Sequence, residues 1–408
     1  MAGTGIVVQK YGGSSVADLE RLGIVADKVV ATHKAGHRVV VVVSAMGKTT
    51  DALLGQARAV DPEPPRRELD MLVSTGERVS MALLSIAIQK RGVEAISFTG
   101  SQAGILTDER HFDARIVAVR PQRVEDELAK GKIVIVAGYQ GVAASNKEIT
   151  TLGRGGSDTT AVALAAALNA ERCEIYSDVD GVYEADPRVV PDAAHLPFVD
   201  YETLQVAAEA GAKVLNAQAV EWARRAGIAI HARHTGQTYV GATPAEGSKQ
   251  TVVSGALPAD ARRVRAIASE KGMALARLAG ASPLAALSAL GEAVTAADLA
   301  PRDLSIDGRG GASALFSLLN APDWMRSRRA LQERLGDALV LEEGLATATV
   351  VGDGLHGVAS PVAGARLAKL LARVGAQLHA LVVAPLRVSV VVDQAHVDDV
   401  VRALHAAS

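Results

Sequence analysis

Arg154-Gly155-Gly156-Ser157-Asp158 is the stretch of sequence that says most about the fold, because it places a cation, two glycines, a hydroxyl and a carboxylate before an alanine-rich segment. The apolar spacing predicts a helix over residues 157–170, with Ser157 and Asp158 both suitable as N-caps. Free amides at a helix start carry partial positive charge, and glycines let an anion approach the backbone. The stretch is therefore either an ordinary capped helix or an anion-binding turn.

Working outward, short β-branched runs alternate with helical patterns over the N-terminal half of the chain. The predicted strands lie at residues 6–9, 39–43, 95–98, 133–137 and 174–176. Helical spacing is found at residues 19–35, 78–91, 124–128 and 159–168. This alternation predicts an α/β fold, a largely parallel sheet flanked by helices. Sheets of this type bind ligands at the carboxyl ends of their strands.

Composition excludes several classes of protein. The chain has 408 residues, 49% hydrophobic and 22% charged, which predicts a large core divided over two or three domains. A formal net charge of -2 gives no electrostatic basis for nucleic acid or an anionic membrane as the main partner. The single cysteine, Cys173, excludes an internal disulfide framework. Because the apolar runs are too short to span a bilayer, we expect a cytoplasmic protein.

The regular alternation of apolar strand and helix patterns ends at about residue 233. A polar stretch, residues 236–258, is typical of a connector with an edge strand. Two smaller units follow, at residues 265–339 and 346–407. The elements predicted for the last unit are a strand at 346–351, a helix at 361–373, strands at 377–382 and 387–392, and a helix at 395–405. This order is four-fifths of a βαββαβ sandwich, whose missing strand could come from the neighbouring unit.

Two glycine-containing or small-residue turns follow predicted strands. Lys10-Tyr11-Gly12-Gly13-Ser14-Ser15 comes directly after the first strand. Its lysine can neutralise phosphate charge and its glycines can bring backbone amides to phosphate oxygens, although a plain turn with a surface lysine fits equally well. Ser44 closes the next strand in the same position, where it would fit beside a nucleotide or simply form a tight turn.

Polar groups suited to an amino acid lie on two further segments. Ser74-Thr75-Gly76-Glu77-Arg78 predicts a capped helix start, in which Glu77 favours the helix dipole. Functionally, Glu77 could receive an ammonium group while Arg154 holds a carboxylate with its planar fork. The polar loop at residues 177–188 follows the fifth strand and is better suited to nucleotide contact than to calcium, because it lacks the closing glutamate of a calcium loop.

Together these segments resemble one family, the aspartate kinases of the amino acid kinase fold. The resemblance rests on residues 8–13, 97–104, 150–158 and 177–183. It implies an amino acid kinase domain followed by two ferredoxin-like βαββαβ ACT units. The implied boundaries are a kinase domain at residues 1–245, a connector at 246–262, a divergent first ACT unit at 263–340 and a second ACT unit at 341–408, with strand exchange between the two units as an option.

The resemblance also implies a reaction and a set of site residues. The reaction is transfer of the γ-phosphoryl group of ATP, with Mg²⁺, to the side-chain carboxylate of L-aspartate, giving 4-phospho-L-aspartate and ADP. The implied catalytic residues are Lys10, which stabilises the transferring group, Asp158, which orients Lys10 or the metal, and Glu77. The implied nucleotide-binding residues are Lys10, Gly12, Gly13, Ser14, Ser44, Ser177, Asp178, Tyr183, Asp186, Arg188 and Lys213. The implied substrate-binding residues are Thr50, Glu77, Arg154, Gly155, Gly156 and Ser157, and no set of protein metal ligands is implied.

The C-terminal part resembles paired ACT regulatory domains, the second unit more closely than the first. Residues 280–284 replace the family's Asp-Lys-Pro-Gly turn, and residues 307–311 replace an asparagine-bearing effector loop. Loss of a carboxylate that would hold a lysine effector removes a contact of roughly 1.5–3 kcal/mol. We therefore expect altered or lost feedback by lysine and threonine, in a dimer or tetramer paired through the ACT units.

Two other functions remain compatible with these residues. Glu77 and Arg154 recognise only the head of an α-amino acid, so a paralogue could accept another acidic substrate. A catalytically weak kinase fold could instead sense amino acids through its ACT units. The intact set of Lys10, Glu77, Arg154 and Asp158 argues against that third hypothesis.

Overall fold

The computed structural model describes residues 5–153, 155–212, 215–255, 266–308, 310–321, 323–355, 362 and 364–407. The chain forms two compact units. The first comprises Met1–Glu184, Ala194–Glu209 and Lys213–Val264, and the second comprises Ala185–Ala193, Ala210–Ala212 and Arg265–Ser408.

The first unit contains a central sheet and a smaller sheet with helices packed around them. Its described helices are α1 (Leu19–Lys34), α2 (Thr49–Val60), α3 (Arg66–Val73), α4 (Thr75–Gln89), α5 (Gln122–Ala129), α6 (Gly156–Ala167), α7 (Tyr201–Glu209) and α8 (Ala217–Ala226). Its described strands are β1 (Ile6–Tyr11), β2 (Arg38–Val43), β3 (Ala95–Phe98), β4 (Ile105–Thr107), β5 (Ile116–Val119), β6 (Ile133–Ala137), β7 (Gln140–Ala143), β8 (Ile149–Thr151), β9 (Arg172–Ser177), β10 (Val182–Tyr183), β11 (His195–Leu196), β12 (Phe198–Asp200), β13 (Ile230–His234), β14 (Tyr239–Val240), β15 (Thr243–Pro244) and β16 (Gln250–Ser254).

Within the described residues, the central sheet has eight strands in the order β12-β16-β13-β9-β1-β2-β6-β3. All neighbouring pairs are parallel except β13 and β16. The predicted α/β fold with a largely parallel sheet is therefore confirmed. The predicted edge strand was wrong in one respect: β16 lies inside the sheet, because β12 adds to its outer side.

Alternation along β1 and β2 decides which side chains face the site. Val8, Val40 and Val42 pack in one core cluster with the side chains of α6. Tyr11 packs in a second cluster with α1 and α4. Successive strand residues point to opposite faces, so Lys10 shares the face of Val8 and projects toward α6. Helix α6 can lie close to that face because most of its buried side chains are small, three of them alanine.

The second unit is built on one antiparallel sheet. Its described elements are β17 (Ala266–Ala279), α9 (Pro283–Ala296), β18 (Asp303–Ile306), β19 (Gly311–Ser317), α10 (Trp324–Leu335), β20 (Leu339–Val351), α11 (Gly364–Arg373), β21 (Leu378–Ala384), β22 (Arg387–Asp393) and α12 (Val397–Ala407). The six described strands lie in the order β18-β19-β17-β20-β22-β21, and β17 pairs with β20 along most of its length. This C-terminal antiparallel sheet fits ACT domains.

Helices α3 and α4 follow each other almost without interruption. By length and apolar composition, the stretch Arg66–Gln89 is the one described helix that could cross a membrane. Of its most apolar 18-residue segment, 44% is buried inside the protein. A core helix of a folded unit passes the same test, so this is weak evidence for a membrane span. The helix start predicted at residues 74–78 agrees with α4, which begins at Thr75 and has Glu77 in its first turn. The predicted cap was wrong, because Ser74 has helical dihedral angles and makes no side-chain cap.

Candidate active site

A buried ion pair lies at the carboxyl end of β1. Lys10 Nζ is 2.6 Å from Asp158 Oδ1, and the two side chains are only 11% and 9% exposed. Lys10 comes from the end of the strand, and Asp158 from the first turn of α6. The fold thus holds a cation at the edge of the sheet where α/β proteins bind ligands.

The turns after β1 and β2 interlock beside this pair. The Gly47 amide donates to the Gly13 carbonyl at 3.0 Å, and the Gly12 amide donates to the Tyr176 carbonyl at 3.1 Å. A Cβ added to Gly13 would lie 2.8 Å from the carbonyl oxygen of Ala45, so only glycine fits there. Gly12 also approaches the cation, since a Cβ at this position would be 3.5 Å from Lys10 Nζ. Ser14 is exposed beside them.

Ser44 joins the turn after β2 to the start of α6. Its hydroxyl donates to Ser157 Oγ at 3.0 Å, and its carbonyl accepts from the Ser80 hydroxyl at 2.8 Å. Ser157 also packs against Gly138, where an added Cβ would be 2.7 Å from Ser157 Oγ. The turns at the ends of β1, β2 and β6 therefore converge on the first turn of α6.

The start of α6 differs from the prediction in its capping. Gly155 is the N-cap, with φ of 73°, and no side chain caps the helix. Ser157 and Asp158 were expected to be N-caps, but they lie inside the first turn, where they bond to Ser44 and Lys10 instead. A left-handed N-cap is readily adopted by glycine, and Gly156 leaves no room for a side chain beside Leu152.

Glu77 is a buried carboxyl without a cation among the described residues. It is 2% exposed, and its Oε1 accepts a hydrogen bond from the Ala45 amide at 3.1 Å. Its Oε2 has no partner in the part of the chain that the structure describes. Burial raises the pKa of Glu77 to about 7, while the amides of Glu77 and Ala45 oppose the shift. A cation bound beside Oε2 would stabilise the ionised form of this carboxyl.

Thr50 lies near this end of the site. It is the second residue of α2, half-buried, and the neighbouring Thr49 hydroxyl donates to the Met46 carbonyl at 2.6 Å. Gly76 abuts the same turn, since an added Cβ would be 2.8 Å from Ala45 Cβ and 3.5 Å from Thr49 Cγ2. The starts of α2 and α4 are therefore close together.

The residues predicted to bind the nucleotide are divided over the two units. Ser177, Asp178 and Tyr183 belong to the first unit, where Tyr183 Oη donates to Asp180 Oδ1 at 2.7 Å. Burial and, to a smaller extent, the hydrogen bond to Asp180 raise the pKa of Tyr183 to about 12. Asp186 and Arg188 belong to the second unit and form an ion pair of 2.9 Å. Two predicted site residues, Arg154 and Lys213, lie outside the described residues.

A buried polar network supports the strand ends beneath these turns. Glu174 Oε1 is 2.8 Å from Arg233 Nη1 and 2.7 Å from Arg172 Nε, and Gln9 donates to Glu174 Oε2 at 2.8 Å. Burial alone would raise the pKa of Glu174, but the two arginines lower it overall. Tyr11 stacks on Tyr176 with ring centroids 4.7 Å apart. The network holds β1 and β9 together just before Gly12 and Ser177.

Sequence reasoning missed several polar residues that shape the site. Asp70, in α3, is fully buried, accepts hydrogen bonds from Phe112 and Thr151, and lies 2.7 Å from His111 Nδ1. Gln140 donates to the Ser74 carbonyl at 2.8 Å, between α3 and α4. Asn216 packs against Gly155 and accepts from the Thr159 hydroxyl at 3.2 Å. Only Asp70 could have been noticed in the sequence, since a spacing of seven residues places it on the same helix face as Glu77.

The comparisons with known proteins agree with this architecture. A model of the amino acid kinase family matches residues 5–234. Aspartokinase III of E. coli, solved with aspartate and ADP, superposes with a TM-score of 0.84 at 23% identity, covering 98% of this chain and 99% of that one. The aspartate kinase of Synechocystis superposes with a TM-score of 0.54 at 36% identity, covering 98% of this chain and 69% of that one. Fold and site thus define an amino acid kinase.

Curated relatives narrow this class. The aspartokinase of Mycolicibacterium smegmatis is 42% identical over 413 residues, covering 98% of this chain and 96% of the relative. The aspartokinase of Geobacillus stearothermophilus is 39% identical over 411 residues, covering 99% and 97%. The chain belongs to the aspartokinases of the amino acid kinase family. It is accordingly a transferase of the kinase class, from a group of allosteric enzymes in amino-acid biosynthesis.

Proposed function

We propose that the protein transfers the γ-phosphoryl group of ATP to the side-chain carboxylate of L-aspartate, giving 4-phospho-L-aspartate and ADP. The observation that carries this proposal is the buried pair of Lys10 and Asp158, 2.6 Å apart, among glycine turns that also enclose Glu77. The turns suit phosphates, and Glu77 suits an ammonium group. The family of the chain and the aspartate and ADP named for the E. coli enzyme support the same reaction.

In this reaction the protein forms no covalent bond with either substrate, and it acts by positioning them and neutralising charge. A bond forms between a side-chain oxygen of aspartate and the γ-phosphorus, while the bond from that phosphorus to the β–γ bridging oxygen breaks and ADP leaves with the electron pair. The attacking carboxylate is ionised at neutral pH, so no general base is required. Lys10 neutralises charge on the transferring group, and Asp158 holds the Lys10 ammonium in place.

Mg²⁺ bound with ATP would supply further neutralisation of the phosphate oxygens. Asp158, which we assign to orient either Lys10 or the ion, is the carboxylate in this cluster that would hold it. Among the described residues there is no group of three or more histidine, cysteine, aspartate or glutamate side chains suited to a metal. A single carboxylate fits Mg²⁺, because proteins commonly hold this ion with one or two carboxylates and the substrate's phosphates.

The remaining residues divide between the two substrates. We assign Gly12, Gly13, Ser14 and Ser44 to the phosphates, and Ser177, Asp178, Tyr183, Asp186, Arg188 and Lys213 to the rest of the nucleotide. We assign Thr50, Glu77, Arg154, Gly155, Gly156 and Ser157 to aspartate, with Arg154 on the α-carboxylate. Residues 1–245 would form the kinase domain, followed by the connector 246–262 and the ACT units 263–340 and 341–408.

The raised pKa of Glu77 predicts a pH dependence of aspartate binding. Below about pH 7 the free enzyme holds Glu77 neutral, and the neutral acid cannot pair with the substrate ammonium. We expect kcat/KM for aspartate to fall as the pH is lowered from 8 to 6, with kcat/KM for ATP much less affected. A Glu77→Gln variant, which cannot ionise at this position, should show a flat profile over the same range. A wild-type profile with no inflection near pH 7 would contradict this role.

A substrate panel tests the proposed function. ADP release would be followed with L-aspartate, D-aspartate, L-glutamate, L-asparagine and succinate, each at saturating ATP and Mg²⁺. The proposal predicts release that depends on L-aspartate and is at least about 100-fold slower with the compounds lacking either the amino group or the side-chain carboxylate. Preferential use of L-glutamate would favour the paralogue hypothesis, and no release with any acid would favour the sensor hypothesis.

The first ACT unit departs from the family's pattern at residues 280–284 and 307–311, and these two segments contact each other. The Gly280 amide donates to the Gly310 carbonyl at 3.0 Å, and a Cβ on Gly310 would lie 2.8 Å from the Gly280 carbonyl. Ser282 caps α9 through a 3.3 Å bond from the Ala285 amide. The turn is thus closed by backbone contacts and a helix cap, with no carboxylate of residues 280–284 available for an effector ammonium.

We therefore propose that feedback by lysine or threonine is altered or lost. Addition of either amino acid at millimolar concentration should leave the initial rate with aspartate unchanged within about twofold. Initial rates over an effector titration, at an aspartate concentration near KM, check this expectation. Strong inhibition by either amino acid would contradict the loss of feedback.

Exposed apolar side chains favour self-association through the second unit. They lie on the two outer strands of its sheet, β18 and β21. They are Leu304, Ile306, Leu378, Leu381 and Val383, each more than 40% exposed. An edge strand with apolar side chains is a common surface for pairing with another chain. We propose a homo-oligomer through this unit, which sedimentation velocity would detect as a dimer or tetramer.

A further inference from the structure

Asp70 is a buried carboxyl that the proposed reaction does not use. It lies in α3 and is 0% exposed. It accepts a hydrogen bond from the Thr151 hydroxyl at 2.5 Å and from the Phe112 amide at 3.1 Å, and it lies 2.7 Å from His111 Nδ1. Burial raises the pKa of Asp70, although these three partners oppose the shift. A carboxyl so fully enclosed holds several segments in one arrangement.

Two of those segments carry the groups assigned to the amino-acid substrate. Asp70 and Glu77 are seven residues apart on the nearly continuous helical stretch Arg66–Gln89, so they lie on the same face two turns apart. Thr151 is the last residue of β8 and stands three positions before Arg154. Asp70 therefore links the helix that bears Glu77 to the strand that precedes Arg154 in the sequence.

The backbone around this link is strained. Phe112 and Tyr139 have positive φ values of 71° and 67°, which bulky residues rarely adopt. The Phe112 amide faces both oxygens of Asp70, and the Tyr139 carbonyl accepts from the Leu152 amide at 2.9 Å. Gly153 is equally confined, since an added Cβ would be 2.8 Å from Asp113 Oδ1. Strain that the surroundings hold in place is concentrated at functional sites.

We propose that Asp70 is a positioning residue for the amino-acid end of the site. It holds residues 151–153, which precede the residue assigned to the α-carboxylate, at a fixed separation from Glu77, which is assigned to the α-ammonium. Asp70 touches neither substrate and acts through Thr151 and Phe112. This inference rests on the proposed function, because it assigns Glu77 and Arg154 to the head of the amino acid.

The test separates positioning from stability. Asp70→Asn should raise the KM for aspartate about tenfold while the KM for ATP changes less than about twofold. Thr151→Val, which removes one donor and keeps the carboxyl, should raise the same KM by a smaller factor. Tyr201→Phe is the matched control, because it removes a buried 2.8 Å hydrogen bond to the Ile228 carbonyl near the outer strands of the same unit. It should lower Tm and leave both KM values unchanged.

The outcomes distinguish this inference from the proposed function. If Asp70→Asn lowers Tm and leaves the aspartate KM unchanged, or raises both KM values equally, Asp70 is structural and the inference is wrong. If Asp70→Asn does not fold, Thr151→Val decides by the same criterion. If unaltered enzyme releases no ADP with aspartate, the proposed function itself fails, whatever the variants do.

Discussion

Replacing Lys10 with alanine is expected to lower kcat by about 10³-fold and to change the KM values for aspartate and ATP by less than about threefold. Its ammonium is buried, 2.6 Å from Asp158, and projects from the end of β1 toward the helix start where phosphates would lie. Charge on the γ-phosphoryl group is redistributed most in the transition state, so a fixed cation contributes mainly to kcat. Steady-state kinetics with each substrate varied in turn measure this effect.

Two variants control for other consequences of the Lys10 substitution. Lys34→Ala removes an exposed lysine at the end of α1 and should leave kcat unchanged. Lys10→Met keeps the length of the side chain without its charge, and it should be as inactive as Lys10→Ala. Removing Lys10 also leaves Asp158 without its cation, so circular dichroism must show that each variant is folded at the assay temperature. A kcat within about threefold of wild type would rule out the assigned role.

Glu77→Gln is expected to raise the KM for aspartate by about 10- to 100-fold with little change in the KM for ATP. A charge-assisted hydrogen bond contributes roughly 1.5–3 kcal/mol, which corresponds to this range. The buried Oε2 atom, unpaired among the described residues, is the acceptor assigned to the substrate ammonium. Kinetics at pH 8, where wild-type Glu77 is ionised, measure the full difference.

The alternative role of Glu77 is to stabilise the helix dipole. Glu125→Gln is a suitable control, because Glu125 is an exposed acidic residue in the first turn of α5. Both substitutions weaken an interaction with a helix N-terminus, but only Glu77→Gln should change the aspartate KM. An unchanged aspartate KM for Glu77→Gln would leave the dipole explanation in place and remove Glu77 from the substrate site.

Local sequence patterns, together with the family resemblance, pointed to the centre of the candidate site. Lys10 and its glycines follow a β-branched run, and Asp158 opens an alanine-rich helix, so both lie where parallel sheets bind ligands. The resemblance to the aspartate kinases is confirmed by the comparisons, and so is the α/β fold with an ACT-like C-terminal sheet. The roles of individual site residues stay predictions.

Features that depend on distant contacts could not be predicted. Serine and aspartate are residue types that commonly cap helices. In the structure, however, the Ser157 hydroxyl bonds to Ser44 and the Asp158 carboxylate pairs with Lys10, both far away in sequence. The predicted side-chain cap at Ser74 was wrong because α3 ends directly before α4, so that Ser74 keeps helical dihedral angles. The position of β16 inside the sheet depends on β12, which pairs with it only in the folded chain. The spacing of Asp70 from Glu77 is visible in the sequence, but its bonds to Thr151 and Phe112 are not, since these partners become neighbours only through folding.

The most direct measurement traps the product with hydroxylamine and identifies the resulting hydroxamate. Enzyme, ATP, Mg²⁺ and L-aspartate would be incubated with hydroxylamine, and the hydroxamate would be resolved by mass spectrometry against the 1- and 4-isomers. The proposed reaction predicts the 4-hydroxamate of aspartate, formed at the same rate as ADP. Formation of the 1-isomer, or ADP release without any aspartate hydroxamate, would contradict it.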